Sequence, residues 1–317
     1  MMRELPTPLL SIVIPTRNRP SLLARSLRSV LAQNFTDCET VVVDDGSCPL
    51  LTLDESVLGQ GCITLLRHLR NRGVSAARNS GIAAARGEWV LFLDDDDELL
   101  PRSLEAIAAR LSNLPATVGF TWGGIERWYA GRNLGTIAFS NSRHADFEHL
   151  RIGTGHALTV RRRLLVKIGG FDESLRAGVD FELLIRLGQL TRGVPIRSIL
   201  VRVHAHEGPR VTDSSPAKAK AFMCICHLHK HFLNSNPGIG IPVLLKSARL
   251  LREAGLCMSS RRLALRALSL APSDVTVWKS VVAQETSALR MPTPAQVVRR
   301  FWPCLVAEDA SNPPTWA

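Results

Sequence analysis

A dense group of carboxylates follows a short apolar segment in the first third of the sequence. The segment WVLFL leads directly into Asp94, Asp95, Asp96 and Asp97. Carboxylates this close repel one another, so solvent, basic groups or a bound cation must offset the repulsion. Alternate residues of a strand share a face, so Asp94 and Asp96 can point to one side if the extended backbone continues. Two carboxylates so placed suit Mg²⁺ or Mn²⁺, which keep other coordination positions for phosphate oxygens and water.

A second interpretation of this segment needs no cation. Acidic residues are common before helices, so the aspartates could form a solvated turn that caps a helix beginning near Pro101. An EF-hand calcium loop fits worse, because its spaced oxygen ligands and its glycine are absent. The segment alone leaves the cation site and the cap open.

Two other groups of carboxylates could bind or react. In VVVDDGS, Asp44 and Asp45 could accept hydrogen bonds from a uracil imide or from ribose hydroxyls, and Gly46 permits a left-handed turn. An ordinary Asp-Gly turn is the alternative. Asp180 and Glu182 lie beside a predicted helix start, where a carboxylate could deprotonate a sugar hydroxyl. The alternative is that Asp180 is an N-cap and Glu182 belongs to the acidic first turn.

Basic and metal-ligating residues form three further groups. In NRGVSAARNSG, Arg78 and Asn79 occupy a small-residue helix, where Arg78 could approach a phosphate or lie on the surface. In RVHAHEG, His204 and His206 could contact a metal or a diphosphate, although most single histidines do neither. The CICHLHKH segment has tighter spacings than a structural zinc site, and in a helix its side chains would point in different directions.

The surrounding sequence alternates between buried strands and helices. Such alternation predicts a mostly parallel sheet with right-handed crossovers, and ligands then bind beyond the carboxyl ends of the strands. We therefore expect the polar residues at three strand ends to meet in one crevice. The predicted strands are Leu9–Pro15, Glu39–Ser47, Cys62–Leu69 and Trp89–Leu93, and the predicted helices are Ser21–Phe35, with Ser21 as N-cap, and Val74–Ala85.

Charge divides the chain into two parts. From residue 216 onward there are 13 Lys and Arg against 5 Asp and Glu, or +8, whereas residues 1–215 carry 26 against 23, or +3. We predict one domain over residues 1–215 and a basic helical extension over residues 216–317, with a single tetratricopeptide-like hairpin at residues 250–278. The basic part could meet an anionic membrane surface or an acidic partner, and nucleic-acid binding is not expected of the nearly balanced first part.

Bulk properties indicate a folded protein of the cytoplasm. Hydrophobic residues make up 45% of the chain, and the seven cysteines form no regular framework, which fits reduced thiols. The sequence has no run of the ~18 apolar residues that a transmembrane helix needs. The N-terminal segment does not have the form of a secretory signal.

Several segments together resemble a family-2 glycosyltransferase with the GT-A fold. They are SIVIPTRNRPSLLARSLRSVLAQ, VVVDDGS, NRGVSAARNSGIAAARGEWVLFLDDDDELLP, GGFDESLRAGVDFELLIRL and RVH, in the family's order over residues 8–212. The resemblance implies an α/β fold: a Rossmann-like, mostly parallel sheet flanked by helices, here with a C-terminal helical extension.

The resemblance also implies roles for individual residues. Asp180 would be the catalytic base, where the family usually shows Glu-Asp, although Val179 replaces the glutamate. Asp94 and Asp96 would form the Asp-x-Asp element that binds the metal, with Asp96 nearest to it. Arg186 matches an arginine in the helix after the base. The residues implied for the nucleotide sugar are Thr16, Arg17, Asp44, Asp45, Arg78, Asp94, Asp95 and His204.

The activity implied is metal-dependent, inverting transfer of a sugar from a nucleotide-diphosphate donor to an acceptor hydroxyl, in polysaccharide or glycoconjugate synthesis. The expected donor is a UDP-sugar, and the expected cofactor is Mn²⁺ or Mg²⁺. The expected acceptor is a glycan or a lipid-linked molecule. The basic extension could contact the inner face of the membrane peripherally. The alternative is a catalytically inactive GT-A-like binding or scaffold protein. Nucleotidyl transfer fits less well, because a glycine-rich, lysine-bearing phosphate loop is absent near the first strand.

Overall fold

A computed structural model describes residues 7–53, 63–138, 157–205 and 215–286. The chain forms two compact units, Met1–Val211 and Thr212–Ala317. The domain boundary predicted after residue 215 lies beside residues 206–214, which are outside the described ranges.

The first unit is built on one nine-stranded sheet. In chain order the strands are β1 (Leu10–Thr16), β2 (Cys38–Asp44), β3 (Ile63–Arg67), β4 (Trp89–Phe92), β5 (Asp97–Leu99), β6 (Val118–Tyr129), β7 (Arg132–Ile137), β8 (Thr159–Arg161) and β9 (Arg192–Ala205). Across the sheet the order is β3-β2-β1-β4-β8-β6-β9-β5, and β7 pairs with β6. The pairs β1–β2, β1–β4 and β2–β3 are parallel, and so is the pair β6–β9.

Helices cover the sheet, as the alternating sequence predicts. Every residue of β1 is buried, which explains why its apolar run lacks the alternation of a half-exposed strand. The predicted α/β fold is therefore confirmed, with β5, β7 and β8 as antiparallel members. The helices of this unit are α1 (Pro20–Leu31), α2 (Val74–Ala84), α3 (Ser103–Leu111), α4 (Arg162–Ile168) and α5 (Val179–Leu190).

The predicted N-cap of α1 and the N-cap alternative for Asp180 are both wrong. α1 begins at Pro20, which suits a first helical position, and its cap residue Arg19 makes no side-chain capping bond, so Ser21 is not the N-cap. α5 begins at Val179 after Gly178, so Asp180 lies inside the first turn and is not an N-cap.

The described part of the second unit is helical, as predicted for the extension. Residues 250–278 hold the end of α8, all of α9 and the start of α10, and their likeness to a tetratricopeptide hairpin stays a prediction. Among the described residues, no helix combines the length and apolar character needed to cross a bilayer. The helices are α6 (Ser215–Leu228), α7 (Lys230–Ser235), α8 (Pro237–Glu253), α9 (Cys257–Leu270) and α10 (Val275–Thr286).

Two sequence features of this unit have structural explanations. In the apolar PGIGIPVLL segment of α8, Ile239, Val243 and Leu244 are buried within the unit. In CICHLHKH, buried Cys226 donates a hydrogen bond to Ser247 Oγ over 3.2 Å. Within the described ranges, these cysteines and histidines form no group of three close metal ligands, so the zinc hypothesis gains no support.

Candidate active site

Thr16, the last residue of β1, connects three strand ends. Its hydroxyl donates to Asp95 Oδ2 over 2.7 Å, and its carbonyl accepts from the Asp45 backbone N–H over 2.9 Å. Thr16 also stands in register with Asp44 at the end of β2. The polar residues that follow β1, β2 and β4 therefore meet at one edge of the sheet, as the sequence predicts.

Side chains from α1 hold the acidic segment (Asp94–Glu98) in place. Arg25 Nη2 donates to the Asp96 carbonyl over 2.8 Å, and Arg25 Nε lies 3.3 Å from Glu98 Oε1. Arg19 Nη1 lies 3.3 Å from Asp95 Oδ1 and 3.4 Å from Asp96 Oδ2. These cations offset part of the repulsion among the carboxylates.

The acidic segment is not a cap for the next helix. Asp97 begins β5, which pairs with β9, and α3 begins only at Ser103. The cap residue Arg102 makes no side-chain capping bond. The capping alternative left open by the sequence is therefore excluded.

Three carboxylates of this segment form a group that could hold a metal ion. Ligand oxygens of Asp94, Asp96 and Asp97 all lie within 4.8 Å of one another. The side chains of Asp94 and Asp96 are 36% and 19% exposed, so solvent and ligand can reach them, whereas Asp97 is buried. An all-oxygen, carboxylate-rich donor set fits Mg²⁺ or Mn²⁺.

Arg78 links the acidic segment to α5. The guanidinium is buried, and it donates through Nη2 to Asp94 Oδ1 over 2.7 Å and through Nη1 to Asp180 Oδ1 over 2.9 Å. Burial opposes its charge, but the carboxylates of Asp180 and Asp94 outweigh that effect and raise the pKa of Arg78. The guanidinium also lies 5.2 Å from the Phe171 ring centroid. The surface position considered for Arg78 is therefore wrong.

Asn79 fixes the segment that leads into α5. Its amide Nδ2 donates to the Phe171 carbonyl over 2.9 Å, and its Oδ1 accepts from the Phe171 N–H over 2.8 Å. This two-way pairing holds Phe171 against α2, where its ring packs edge-on against Phe92 at 5.1 Å. The same helix thus positions both Arg78 and the approach to Asp180.

Asp45 organises the loop after β3. Its Oδ1 accepts from the Arg72 N–H over 2.8 Å and lies 2.7 Å from His68 Nδ1, while its Oδ2 accepts from the Gly73 N–H over 2.8 Å. His68 Nε2 lies 2.8 Å from Ser80 Oγ. Both oxygens of Asp45 are thus engaged by protein groups, so Asp45 shapes the crevice by holding this loop.

Asp44 and Gly46 complete the turn after β2. Buried Asp44 accepts the Ser47 N–H at Oδ1 over 3.0 Å. Gly46 has φ of +74°, and a Cβ there would lie 2.6 Å from the Arg70 carbonyl carbon. Only glycine permits this approach of the two loops.

Asp95 has a strongly altered acidity. Burial raises its pKa to about 6, and the neighbouring Asp96 and Asp94 charges add to the effect. The hydrogen bond from Thr16 and the charge of Arg19 act in the opposite direction. The hydrogen bond that Asp95 accepts from Thr16 also ties the acidic segment to β1.

The family model for glycosyl transferase family 2 matches residues 11–169, half of the 317-residue chain. The chain belongs to this family. The match includes the ends of β1, β2 and β4 and the whole acidic segment. The ends of these strands, with the acidic segment, are thus the candidate active site of a family-2 glycosyltransferase.

Two curated relatives resemble this family-2 glycosyltransferase. An uncharacterized glycosyltransferase of Haemophilus influenzae is 26% identical over 196 residues, which cover 57% of this chain and 62% of that protein. The succinoglycan biosynthesis protein ExoO of Rhizobium meliloti is 30% identical over 190 residues, covering 56% of this chain and 55% of that protein. The chain thus spans less than two thirds of the length of either relative.

Two solved structures share the GT-A fold of this family-2 glycosyltransferase. TarS residues 1–349 of S. aureus, in complex with UDP-GlcNAc, superposes with a TM-score of 0.59 at 19% identity, covering 88% of this chain and 91% of that one. The mannosyltransferase PcManGT of Pyrobaculum calidifontis, in complex with GDP-Man and Mn²⁺, has a TM-score of 0.50 at 18% identity, covering 89% and 87%.

The roles expected of Arg17, His204 and Arg186 at the site stay predictions. Arg17 is exposed. His204 Nε2 hydrogen-bonds Glu98 Oε1, and His206 lies outside the described residues. Arg186 forms a two-point pair with Glu182 and donates to the Ile168 carbonyl over 2.9 Å, which fastens α5 to the end of α4. Arg186 therefore supports the helix that presents Asp180.

Four residues of the site were missed by sequence reasoning. Asp97 belongs to the acidic run of the sequence, but its carboxylate lies near those of Asp94 and Asp96 only because the chain turns before β5. The only sequence signal for Arg19 and Arg25 as partners of the acidic segment was the need for positive charge near the aspartates. His68 gave no pattern that could have identified it as the partner of Asp45.

Proposed function

We propose that this chain transfers a sugar from a nucleotide-diphosphate donor to an acceptor hydroxyl, with inversion at the anomeric carbon and with the help of a divalent cation. Membership in glycosyl transferase family 2 supports the transfer of a sugar. The ligands named for TarS and PcManGT, UDP-GlcNAc and GDP-Man, support a nucleotide-sugar donor.

The nucleoside binds beside the ends of β1 and β2 in this proposal. Asp44 lies in register with Thr16 there, and Asp45 holds the neighbouring loop at a fixed distance. Gly46 lets the two loops approach without a side chain between them. These contacts supply a pre-formed crevice, which reduces the entropy lost when a donor binds.

The donor diphosphate lies next to the acidic segment. Asp96 and Asp94 would hold the cation, with Asp97 behind them, and this oxygen donor set together with the Mn²⁺ named for PcManGT supports the assignment. When bound, Mn²⁺ or Mg²⁺ stabilises the negative charge that builds up on the diphosphate as the sugar leaves. Arg78 adds a fixed positive charge beside Asp94.

Asp180 accepts the proton of the attacking hydroxyl. Arg78 binds Asp180 Oδ1 and so orients the carboxylate, while the second oxygen, Oδ2, is the proton acceptor in this proposal. The acceptor oxygen attacks the anomeric carbon as the bond to the diphosphate breaks. A single displacement from the opposite face inverts the anomeric centre.

We call Asp94, Asp96 and Asp97, the carboxylates proposed to hold the cation, the cation group. One observation carries the proposal: buried Arg78 donates one hydrogen bond to Asp94 of this group and another to Asp180, the proposed base. A general base must lie within reach of the reacting atoms, and the cation must lie at the leaving group. The bridge brings both carboxylates to a single guanidinium.

A thermal-shift panel of UDP-GlcNAc, UDP-glucose and GDP-mannose, each with and without Mn²⁺, tests donor and metal together. We expect one donor to raise the unfolding midpoint of the wild type, and more so with Mn²⁺, because a ligand that binds only the folded state stabilises it. The Asp96→Asn variant should lose the part of this midpoint shift that depends on Mn²⁺.

Glu253→Gln is the matched control, because it removes the same charge from an exposed side chain of the second unit. It should behave as the wild type does. Equal Mn²⁺-dependent shifts in Asp96→Asn and the wild type would refute the cation site. Donor binding without any transfer or hydrolysis would instead favour an inactive binding protein.

A further inference from the structure

A second group of polar and aromatic side chains lies near the ends of β6 and β9. These strands are parallel, and their register sets Glu126 beside Arg202 and Trp128 beside His204. Because alternate residues of a strand share a face, the four side chains lie on one face of the sheet. We call Glu126, Trp128, Arg202 and His204 the Trp128 patch.

The Trp128 patch lies at the same edge of the sheet as the acidic segment. β8 is antiparallel to both β4 and β6, so β6 runs in the direction of β4 and continues beyond the end of β4. β5 pairs with β9 and sets Asp97 opposite Val203 and Glu98 opposite Arg202. His204 Nε2 also hydrogen-bonds Glu98 Oε1. The patch is therefore continuous with Glu98, the last residue of the acidic segment.

Arg202 holds the aromatic ring of the patch. Its Nε donates to Glu126 Oε1 over 2.5 Å, and its guanidinium carbon lies 4.4 Å from the Trp128 ring centroid. The Trp128 indole N–H is buried and makes no hydrogen bond within the described chain, so the stack on Arg202 orients the ring. Arg202 and Glu126 stay 31% and 14% exposed, which leaves both within reach of a ligand.

We infer that the Trp128 patch binds the acceptor sugar, and this inference rests on the proposed transfer function. A half-buried indole offers an apolar surface to the C–H groups of a pyranose ring, and a few fixed polar groups beside it orient the ligand through its hydroxyls. Arg202 and Glu126 neutralise each other, so the patch favours an uncharged pyranose over an anionic one. Its position beside Glu98 places such an acceptor next to the acidic segment.

Saturation-transfer NMR with methyl glucoside, methyl galactoside and methyl mannoside tests the patch without any donor. We expect at least one of these glycosides to receive saturation from the wild-type chain. Trp128→Leu should reduce the effect about tenfold or more, because it removes the central aromatic contact. Trp128→Phe should retain most of it.

Tyr129→Ala is the matched control, because this neighbouring aromatic points to the opposite face of β6. It should leave glycoside binding unchanged. If Trp128→Leu fails to fold, Arg202→Met is a second variant that should lose glycoside binding. Its methionine side chain still packs an apolar chain against the Trp128 ring. No binding by the wild type, or equal binding by the wild type and the folded patch variants, would overturn the inference.

The donor experiment separates this inference from the proposed function. Trp128→Leu should show the same nucleotide-sugar thermal shift as the wild type, because Trp128 stacks on Arg202 and is not one of the residues proposed to bind the donor or the cation. Glycoside binding with no donor shift in any protein would refute the proposed function alone. A donor shift with no Trp128-dependent glycoside binding would refute the acceptor site alone.

Discussion

Arg78 and Asp180 are 102 residues apart in sequence, and Arg78 Nη1 donates to Asp180 Oδ1 over 2.9 Å. The same guanidinium holds Asp94, so α2 fixes the distance between the cation group and the proposed base. The bridge gives Arg78 a structural role beside its proposed role in catalysis, and measurement can separate the two.

Arg78→Met should destabilise the first unit by about 2–3 kcal/mol, because two carboxylates lose their buried partner while staying about one-third exposed. Urea unfolding measures the change. Arg72→Met is the control, since its pair with Glu173 is exposed and long at 3.5 Å, and it should cost less than about 1 kcal/mol. Equal losses in the two variants would show that the bridge adds nothing to stability.

Asp45→Asn should weaken donor binding and lower stability by about 1–3 kcal/mol, because an amide cannot accept all three hydrogen bonds that the carboxylate accepts. Since Asp45 acts through the loop, the donor KM should rise while kcat changes little. Asp274→Asn, in a turn of the second unit, should leave the donor KM unchanged. A lower kcat with an unchanged KM would contradict this role.

Gly46→Ala should lower the free energy of unfolding by about 2–4 kcal/mol, because the new Cβ both clashes with the Arg70 backbone and is strained at a positive φ. Gly131→Ala isolates the strain, since Gly131 has φ of +77° but no atom within 4 Å of an added Cβ. It should cost only about 1–2 kcal/mol. Equal unfolding free energies for the two variants would rule out the close approach of the loops.

Glu39, which lies far from the cation group, makes a pH-dependent contribution to the stability of the fold. Burial alone would raise its pKa, but hydrogen bonds from Ser11 and from the Arg86 backbone and side chain outweigh burial and lower it. The folded pKa therefore lies below the ordinary value of 4.5, so the contribution is present above pH 4.5 and disappears as pH falls through the folded pKa.

Urea unfolding of Glu39→Gln at several pH values checks this contribution. The stability difference between wild type and variant should shrink as the pH falls below 4.5. Glu88→Gln, which removes an exposed carboxylate paired with Arg161, should show little such change. A constant difference for Glu39→Gln across this range would contradict the lowered pKa.

The sequence predicts the strands of the parallel region because uninterrupted apolar runs such as that of β1 reflect burial on both faces. It also predicts which residues stand at the strand ends, since Thr16, Asp44 and Asp94 each follow such a run. Their convergence then follows from the parallel order of β2, β1 and β4.

The remaining parts of the site depend on contacts that spacing does not encode. The bridge from Asp94 to Asp180 requires α2 and α5 to pack on the same edge, and the capping alternative fails only because β5 pairs with the distant β9. The contacts of Asp45 with His68, Arg72 and Gly73 likewise depend on how the loop after β3 folds, and its role in binding the nucleoside stays a prediction.

Asp180→Asn tests the central claim most directly, because the amide keeps an oxygen for Arg78 but cannot accept a proton from the acceptor. Sugar transfer and the thermal shift caused by nucleotide sugar with Mn²⁺ should be measured on the same preparation. The account predicts that transfer is abolished while the donor-induced shift survives. Transfer at the wild-type rate in Asp180→Asn would contradict it.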